Sequence, residues 1–411
     1  MDYQQKRDII YSPLRREGIF TWDWMYGKEY ALATIHSISK SHRQEIAQAT
    51  ERLGRIFAKT AAAIQSADPS LLKELGIPKA AIAAARVHYL PDIPTLIGRF
   101  DFVYTGQGWK ILEFNSDTPG GVVEAFYLNG RVCDYFNAED PNADLNKDIT
   151  VAFRHAISRY QQLGYKTDNV FFSALEWHEE DAGTARYLQR CSGLAAMFVP
   201  LKDLRIYQDR LYALVDGDLL PVDVLYRLHP LGILAEEKDI NGYPTGAHLL
   251  DLVVRGKLAI INPPGALISQ TKGMQALIWN IHEKGEFFTA DEHQTIEQYM
   301  LPTYFENRFQ SPVPYVSKPV LGREGGAVTL FGSDGGIVER DQEGNYWDQD
   351  IIYQKYVQLE SIEVETLTGK YDGYLIWGSF LIGGRASAIT ARVGGLITND
   401  LAYCLPVKLD G

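Results

Sequence analysis

The stretch RFDFVYTGQGWKILEFN, residues 99–115, alternates polar and apolar side chains on both sides of a glycine-containing turn. This pattern predicts a β-hairpin that turns at Thr105–Gly108. Residues two apart on a strand point to the same face, so the polar side chains should converge on one side of the hairpin. That polar face would carry Arg99, Asp101, Glu113 and Asn115, and the opposite, apolar face would carry Phe100, Phe102, Leu112 and Phe114.

The segments around the hairpin predict a mixture of helices and strands. Residues 22–66 have apolar side chains near a 3.6-residue period, which predicts one long helix that ends before Asp68-Pro69. Residues 169–200 read as strand, helix and strand in succession, which is typical of an α/β layer. The last hundred residues read mostly as strands separated by glycine turns. The predicted fold class is therefore α+β or α/β.

The composition excludes several classes of function. The chain of 411 residues carries 40 basic and 52 acidic side chains, a net charge of −12, so non-specific binding to nucleic acid or to an anionic membrane is not expected. Its three cysteines, Cys133, Cys191 and Cys404, form no CxxC pair, which argues against a disulfide scaffold and a thiolate zinc site. With no signal peptide or membrane span in view, we expect a cytoplasmic protein.

The polar face of the hairpin is a candidate metal site. Oxygen ligands such as those of Asp101, Glu113 and Asn115 suit a hard cation, Mg²⁺ above all, and would leave positions for water and substrate phosphates. A polar strand face exposed to water would show the same spacing, and the spacing alone does not separate the two.

A second candidate is KPVLGREGG, residues 318–326, where a lysine at the end of a predicted strand meets a glycine-rich turn. Backbone N–H groups and a lysine can hold nucleotide phosphates, although neither GxxxxGK[ST] nor GxGxxG is present. A tight hairpin with left-handed glycines is the alternative. Lys272 begins a predicted helix and means little alone, and Arg392 could clamp a phosphoryl group or pair with a carboxylate.

These motifs stand in a recognisable order: RFDF (99–102), EFNSDTPGG (113–121), PPGALISQTKGMQALIW (263–279), KPVLGREGG (318–326), YQKYVQL (353–359) and YLIWGSFLIGG (374–384) before Arg392. From about residue 10 onward the chain resembles the synthetase domain of the glutathionylspermidine synthase family, a branch of the ATP-grasp ligases. The resemblance implies an ATP-grasp-like fold with interleaved subdomains and a Gly-rich β lid. The implied segments are a helical scaffold (1–98), a region with the metal-ligand hairpin and an α/β substrate-binding part (99–265), and a nucleotide-binding region with the lid (266–411).

The resemblance also implies an activity, that of an ATP-dependent carboxylate–amine ligase that uses ATP and Mg²⁺ and passes through an acyl phosphate. The implied site residues are Asp101, Glu113 and Asn115 for metal, Arg99 and Arg392 for the transferring phosphoryl group, Lys272, Lys318, Glu324, Gly325, Gln354, Lys355, Tyr356 and Val357 for the nucleotide, and Thr118 and Glu180 for the substrate. The expected partners are a small amino-acid or peptide-like acid and an amine.

The chain also departs from the family pattern. The best-known members carry an additional amidase domain, which we do not expect here. Ile376 stands where the family has a nucleotide-contacting glutamine, and Gly120 stands where bifunctional members have a serine. Two other functions stay open: a nucleotide-binding protein that has lost ligation and acts as a partner or regulator, and a phosphotransferase that stops at the phosphorylated acid. The oligomeric state is not predicted.

Overall fold

A computed structural model describes residues 2–323, 325–342 and 344–410 of the chain. The α-helices are α1 Tyr3–Glu17, α2 Lys40–Ser66, α3 Pro69–Glu74, α4 Ile82–Ala85, α5 Asn129–Phe136, α6 Asn146–Gln162, α7 Glu179–Cys191, α8 Leu231–Glu236, α9 Thr245–Val254, α10 Ala266–Gln270, α11 Lys272–Lys284 and α12 Ala290–Tyr299. A π-helical turn, Glu124–Leu128, leads into α5, and short 3₁₀ turns occur at Lys79–Ala81 and Leu201–Asp203.

The strands are β1 Trp24–Met25, β2 Lys28–Glu29, β3 His36–Ile38, β4 Ile97–Tyr104, β5 Trp109–Asn115, β6 Val170–Ala174, β7 Ala196–Pro200, β8 Leu204–Tyr207, β9 Arg210–Val215, β10 Asp218–Pro221, β11 Val224–Leu228, β12 Ala259–Ile261, β13 Thr303–Tyr304, β14 Tyr315–Pro319, β15 Thr329–Phe331, β16 Ile337–Arg340, β17 Ile351–Lys355, β18 Ser361–Thr366, β19 Gly369–Ile382, β20 Arg385–Gly394, β21 Tyr403–Leu405 and β22 Val407–Leu409.

The predicted hairpin is confirmed as β4 and β5, and it belongs to a six-stranded antiparallel sheet, the central sheet. Its strand order is β21-β20-β19-β4-β5, with β18 also paired to β19. The apolar face of the hairpin packs against α2: the Phe57 ring contacts Phe100 and Phe114 at centroid distances of 5.5 and 5.1 Å. This aromatic packing turns the polar face away from the core, toward the cavity described below.

The prediction of one helix over residues 22–66 is wrong in its first part. The helix α2 begins at Lys40, because the Ser39 side chain caps it by accepting from the His42 N–H at 3.1 Å. The preceding residues form short strands instead. Ala31 bridges to Cys404, and β3 runs parallel to β22, so the apolar side chains of this segment pack through tertiary pairing with the end of the chain.

The predicted α/β layer is confirmed as a parallel four-stranded sheet of order β12-β11-β6-β7. Helix α7 connects β6 to β7 in the chain and packs on β6, β7 and β11. Strand β11 of this parallel sheet begins at Val224, shortly after the antiparallel pair β9–β10, and is buried over its whole length. Strands β6, β11 and β12 are buried on both faces, as a crossover topology requires, and the edge strand β7 is partly exposed.

A five-stranded antiparallel sheet of order β13-β17-β14-β15-β16 carries the predicted glycine-rich segment. The central sheet draws its strands from residues 97–115 and from 361–405, segments far apart in the chain. The division of the chain into three segments stays a prediction. In the described ranges, no helix is long and apolar enough to cross a membrane.

Candidate active site

A cavity of about 440 Å³ collects most of the predicted site residues. Three structural units contribute to its wall: the polar face of the central sheet, the five-stranded sheet, and the loops that follow the parallel strands β6 and β11. The predicted site residues that line it are Arg99, Asp101, Glu113, Asn115, Thr118, Glu180, Lys272, Lys318, Gly325, Gln354, Lys355, Tyr356, Val357 and Arg392. Glu324 lies outside the described residues.

The hairpin brings its polar residues together across the two strands. Arg99 pairs with Asn115, and Asp101 pairs with Glu113, in antiparallel register. The Asn115 amide nitrogen lies 3.3 Å from the Asp101 Oδ2 and 3.3 Å from the Glu113 Oε1. The predicted convergence of four polar side chains is therefore confirmed.

The assignment of Leu112 to the apolar face is wrong. The register shifts after Asp101, because Phe102 pairs with Ile111 and leaves Leu112 as an extra residue on β5. Such a bulge breaks the alternation of faces, so Leu112 lines the cavity next to Glu113. Ile111 takes the core position instead.

Two arginines meet on the Asp101 carboxylate. Arg99 donates from Nε to Oδ1 at 2.6 Å and from Nη2 to Oδ2 at 3.0 Å, and its Nη1 donates to the Gly120 carbonyl at 2.7 Å. Arg392 donates from Nη2 to Oδ2 at 2.6 Å, reaching across β19 from β20. A Cβ on Gly378 of β19 would lie 2.7 Å from the Arg99 Cδ, so a glycine at this position makes room for the arginine.

Glu113 faces the lysines instead. Lys272 Nζ lies 3.3 Å from the Glu113 Oε2 and donates to the Gly322 carbonyl at 2.6 Å. Burial alone would raise the pKa of Glu113, but the charges on Lys272 and Lys318 outweigh burial and lower the pKa to about 2. Glu113 is therefore ionised at neutral pH.

Lys318 is the residue before the last one of β14 and is nine-tenths buried. Its Nζ donates to the Gln354 Oε1 at 2.7 Å, and Gln354 in turn donates to Gln275 and Thr303 at 3.2 and 3.3 Å. Burial lowers the pKa of Lys318 to about 8, with Glu113 opposing the shift and Lys272 adding to it. A bound anion would restore the charge of this lysine.

The rest of the predicted nucleotide segment lies at the same end of the cavity. Lys355, Tyr356 and Val357 line it where β17 leaves the sheet, and the Tyr356 N–H donates to the Pro314 carbonyl at 3.1 Å. Gly325, in the glycine-rich loop, packs against the carbonyl of Thr398 from the loop after β20. Two loops thus meet over this end of the cavity.

The substrate residues implied by the resemblance lie at the other end. Thr118 follows β5, and Glu180 lies in the first turn of α7. Burial, followed by the charges of Glu124 and Asp181, raises the pKa of Glu180 to about 8. Glu180 is half-buried and keeps contact with the cavity.

Asp117, which the sequence places beside the metal candidates, has another role. Its Oδ2 accepts from the Leu231 N–H at 2.7 Å, and its Oδ1 accepts from the fully buried Arg227. This buried ion pair ties the loop after β5 to strand β11 and to the start of α8.

Sequence reasoning missed three cavity residues at the substrate end: Tyr30, His178 and His229. His178 follows β6 and His229 follows β11, at the carboxyl ends of parallel strands, where ligands bind in open α/β sheets. The predicted strand at the start of residues 169–200 could have indicated His178, but strand β11, which precedes His229, was not predicted to belong to the parallel layer. Tyr30 comes from the segment that was predicted to be helical.

The residues of the hairpin fit a hard cation. The described ranges contain no cluster of three or more His, Cys, Asp or Glu side chains that could hold a metal ion, so binding would rest on two carboxylates and one amide. The Asn115 amide nitrogen already lies between the two carboxylates, at hydrogen-bond distance from both. The amide can turn to present its oxygen, which would complete an oxygen donor set of the kind that Mg²⁺ prefers.

The chain is similar in sequence and in fold to known proteins. Residues 3–410 match the family model described as glutathionylspermidine synthase preATP-grasp, so the predicted resemblance is confirmed. A relative from Haemophilus influenzae, provisionally named an acid–amine ligase, is 26% identical over 311 residues, 73% of this chain and 70% of the relative. The structure of a glutathione synthetase-like effector from Globodera pallida covers 100% of this chain and 98% of its own, with a TM-score of 0.61 and 13% identity. That likeness concerns the fold, and the predicted fold class is confirmed.

Proposed function

Because this chain belongs to the glutathionylspermidine synthase preATP-grasp family, we propose that it is an ATP-dependent ligase that joins a small amino-acid or peptide-like acid to an amine through an acyl phosphate. One observation carries the proposal. Two arginines, two lysines and two carboxylates converge on one wall of a cavity that continues to Thr118 and Glu180. The name of the Haemophilus influenzae relative, an acid–amine ligase, supports the same class of reaction.

The nucleotide would bind at the lysine end. Lys318 and Lys272 are placed to contact its phosphates, and the segment 354–357 would lie beside the adenine. Mg²⁺, held by Asp101, Glu113 and Asn115, would offset the negative charge of the phosphates. Apolar side chains from both sheets, Leu112, Val316, Leu330 and Ile376, would enclose the base.

The reaction needs positioning and cationic charge rather than a protein nucleophile. The substrate carboxylate attacks the terminal phosphorus of ATP, ADP leaves, and an acyl phosphate remains. Arg99 and Arg392 would stabilise the charge that develops on the transferred group, since both are held in place by Asp101. The amine then attacks the carbonyl carbon, and phosphate leaves as the amide forms.

Water would hydrolyse the acyl phosphate, so the cavity has to be covered during the reaction. The loop around Gly325 and the loop around Thr398 meet over the lysine end and can provide the cover. Gly120, at the substrate end, and Ile376, beside the proposed nucleotide site, differ from the family pattern. Glutathione and spermidine are therefore not assigned as the substrates.

Phosphate release tests the proposal. The protein is incubated with ATP, Mg²⁺ and pools of amino acids, dipeptides and polyamines, added singly and in pairs. Release that requires both an acid and an amine is expected. Release with an acid alone and a stable phosphorylated product would favour a phosphotransferase. ATP binding without release under any combination would favour a nucleotide-binding partner protein.

A further inference from the structure

One carboxylate, Glu180, lines the substrate end of the cavity, and a second, Glu124, accepts a hydrogen bond from the cavity residue Tyr30. In the described part of the chain, neither carboxylate is bonded to a cation. Glu180 lines the cavity on α7, with its Oε1 2.9 Å from the point that a Cβ on Gly120 would occupy. Glu124, in the π-helical turn, is only 2% exposed. Its Oε1 accepts from Trp22 Nε1 at 2.8 Å and from the Tyr30 hydroxyl at 3.2 Å, while its Oε2 has no hydrogen-bond partner among the described residues.

No ion pair in the described ranges involves either carboxylate. The nearby Arg99 directs its guanidinium at Asp101 and at the Gly120 carbonyl. A carboxylate that is removed from water without a cation is costly, so the buried Glu124 and the half-buried Glu180, next to a reaction site, call for an explanation in the chemistry. The reaction proposed above uses neither Glu124 nor a change in the protonation of Glu180.

We propose that Glu180 is the base that takes a proton from the ammonium form of the incoming amine, and that Glu124 keeps Glu180 a strong enough base to do so. This inference rests on the proposed function. An ammonium group has no lone pair, so it cannot attack the acyl phosphate until it loses a proton.

The proton balance of the step is complete. The ammonium transfers one proton to the Glu180 carboxylate, and the amine nitrogen then forms a C–N bond with the carbonyl carbon. The C–O bond to phosphate breaks, and the second nitrogen proton leaves with the phosphate as hydrogen phosphate. The Glu180 carboxylic acid then returns its proton to solvent.

The electrostatic surroundings match this task. Burial and the charges of Glu124 and Asp181 raise the pKa of Glu180 to about 8, close to the pH at which a base of this kind is most effective. His178 and Arg99 oppose the shift. The titratable and charged groups that face Glu180 from the surrounding elements are Glu124, Asp181, His178, Arg99, Tyr30 and Cys404.

Hydroxylamine separates a base from a binding group, because it is mostly unprotonated at neutral pH and needs no base. The protein is given ATP, Mg²⁺ and the dipeptide pool with either hydroxylamine or the polyamines putrescine and spermidine. In Glu180→Gln we expect hydroxamate formation to stay within about twofold of the unsubstituted protein. Amide formation with the polyamines should fall about 100-fold.

The adjacent Glu179→Gln is the matched control, since Glu179 lies on the same turn of α7 but is exposed. Both of its rates should stay unchanged. Equal loss of both products in Glu180→Gln, or loss of neither, would overturn the inference. Failure of the unsubstituted protein to form hydroxamate and amide alike would overturn the proposed function, and this inference with it.

The pH profile tests Glu124 as a positioning residue. With a polyamine, the rate of the unsubstituted protein should rise with pH through about 8 as Glu180 ionises, and the hydroxylamine reaction should show no such rise. In Glu124→Gln the lost negative charge lowers the pKa of Glu180, so the rise should move to lower pH. If the rise in rate of Glu124→Gln occurred at the same pH as in the unsubstituted protein, or at a higher pH, the role of Glu124 would be contradicted.

Discussion

Asp101 and Glu113 are direct cross-strand partners, yet they bind different cations: Asp101 holds the arginines, and Glu113 faces the lysines. Strands β4 and β5 thereby divide the cationic wall of the cavity into two parts. The arginines lie toward the substrate end, and the lysines lie toward the glycine-rich loop. In the proposed reaction, the phosphoryl group would pass across the hairpin from the nucleotide to the acid.

Replacing Asp101 by Asn should both destabilise the protein and stop turnover. Arg99 is only 7% exposed, and the variant leaves its charge buried beside a neutral amide. We expect a loss of about 3 kcal/mol in the free energy of unfolding, measured by urea denaturation. The exposed Asp372→Asn on β19 is the control and should change stability by less than about 0.5 kcal/mol. Equal stability of both variants would contradict a buried ion pair at Asp101.

Glu113→Ala should abolish phosphate release while the fold survives. The carboxylate is ionised at neutral pH because the neighbouring lysines lower its pKa to about 2, so its loss removes a charged metal ligand. Circular dichroism should be unchanged, and the dependence of phosphate release on Mg²⁺ concentration should disappear with the activity. Glu363 is exposed on β18, and Glu363→Ala should keep both the phosphate release and its dependence on Mg²⁺. Unchanged activity in Glu113→Ala would remove the metal assignment.

Lys318→Ala should weaken nucleotide binding and abolish turnover, because a nearly fully buried cation no longer meets the phosphates. In the unsubstituted protein, the affinity for nucleotide should fall as pH rises. In the protein without nucleotide, Lys318 has a pKa of about 8, so its charge is present below that pH and is lost above it. The dissociation constant for a non-hydrolysable ATP analogue, measured by calorimetry, should therefore rise above pH 8, by up to about tenfold per pH unit.

The control for this titration is Lys370→Ala, an exposed lysine on β19, which should retain both affinity and pH dependence. If the dissociation constant of Lys318→Ala for the ATP analogue still depended on pH in the same way, a group other than Lys318 would be responsible for the pH dependence. An affinity equal to that of the unsubstituted protein would remove Lys318 from the nucleotide site.

Gly325→Ala should impair catalysis through a contact between the two covering loops. Gly325 has a φ of +74°, and a Cβ there would lie 2.7 Å from the Thr398 carbonyl oxygen. Gly335 is the matched control, since its φ is +81° and a Cβ would enter open space. Both alanines cost about 1 kcal/mol of backbone strain. Only Gly325→Ala should raise the KM for ATP, by about tenfold; equal KM values in the two variants would contradict the loop contact.

The sequence by itself determined the structural features that are set by residues close together in the chain. Alternation around a glycine turn was enough to predict the hairpin, the shared polar face and the four residues that meet on it. Strand and helix alternation was enough for the parallel layer. Motif order was enough for the family, because it joins segments whose spacing along the chain is distinctive.

Only the tertiary structure decided which groups interact over long sequence separations. The apolar pattern of residues 22–38 is consistent with a helix, but this segment is extended because β1 pairs with β2, and Ala31 and β3 pair with Cys404 and β22 near the end of the chain. No local pattern reveals the bulge at Leu112 or the pairing of Asp117 with Arg227. The same holds for Glu124 and Glu180, which have no ion-pair partner within the residues that the structure describes. Each depends on burial and on the charges that distant strands bring near, since these set the free energy of an ionised group and are absent from the sequence pattern.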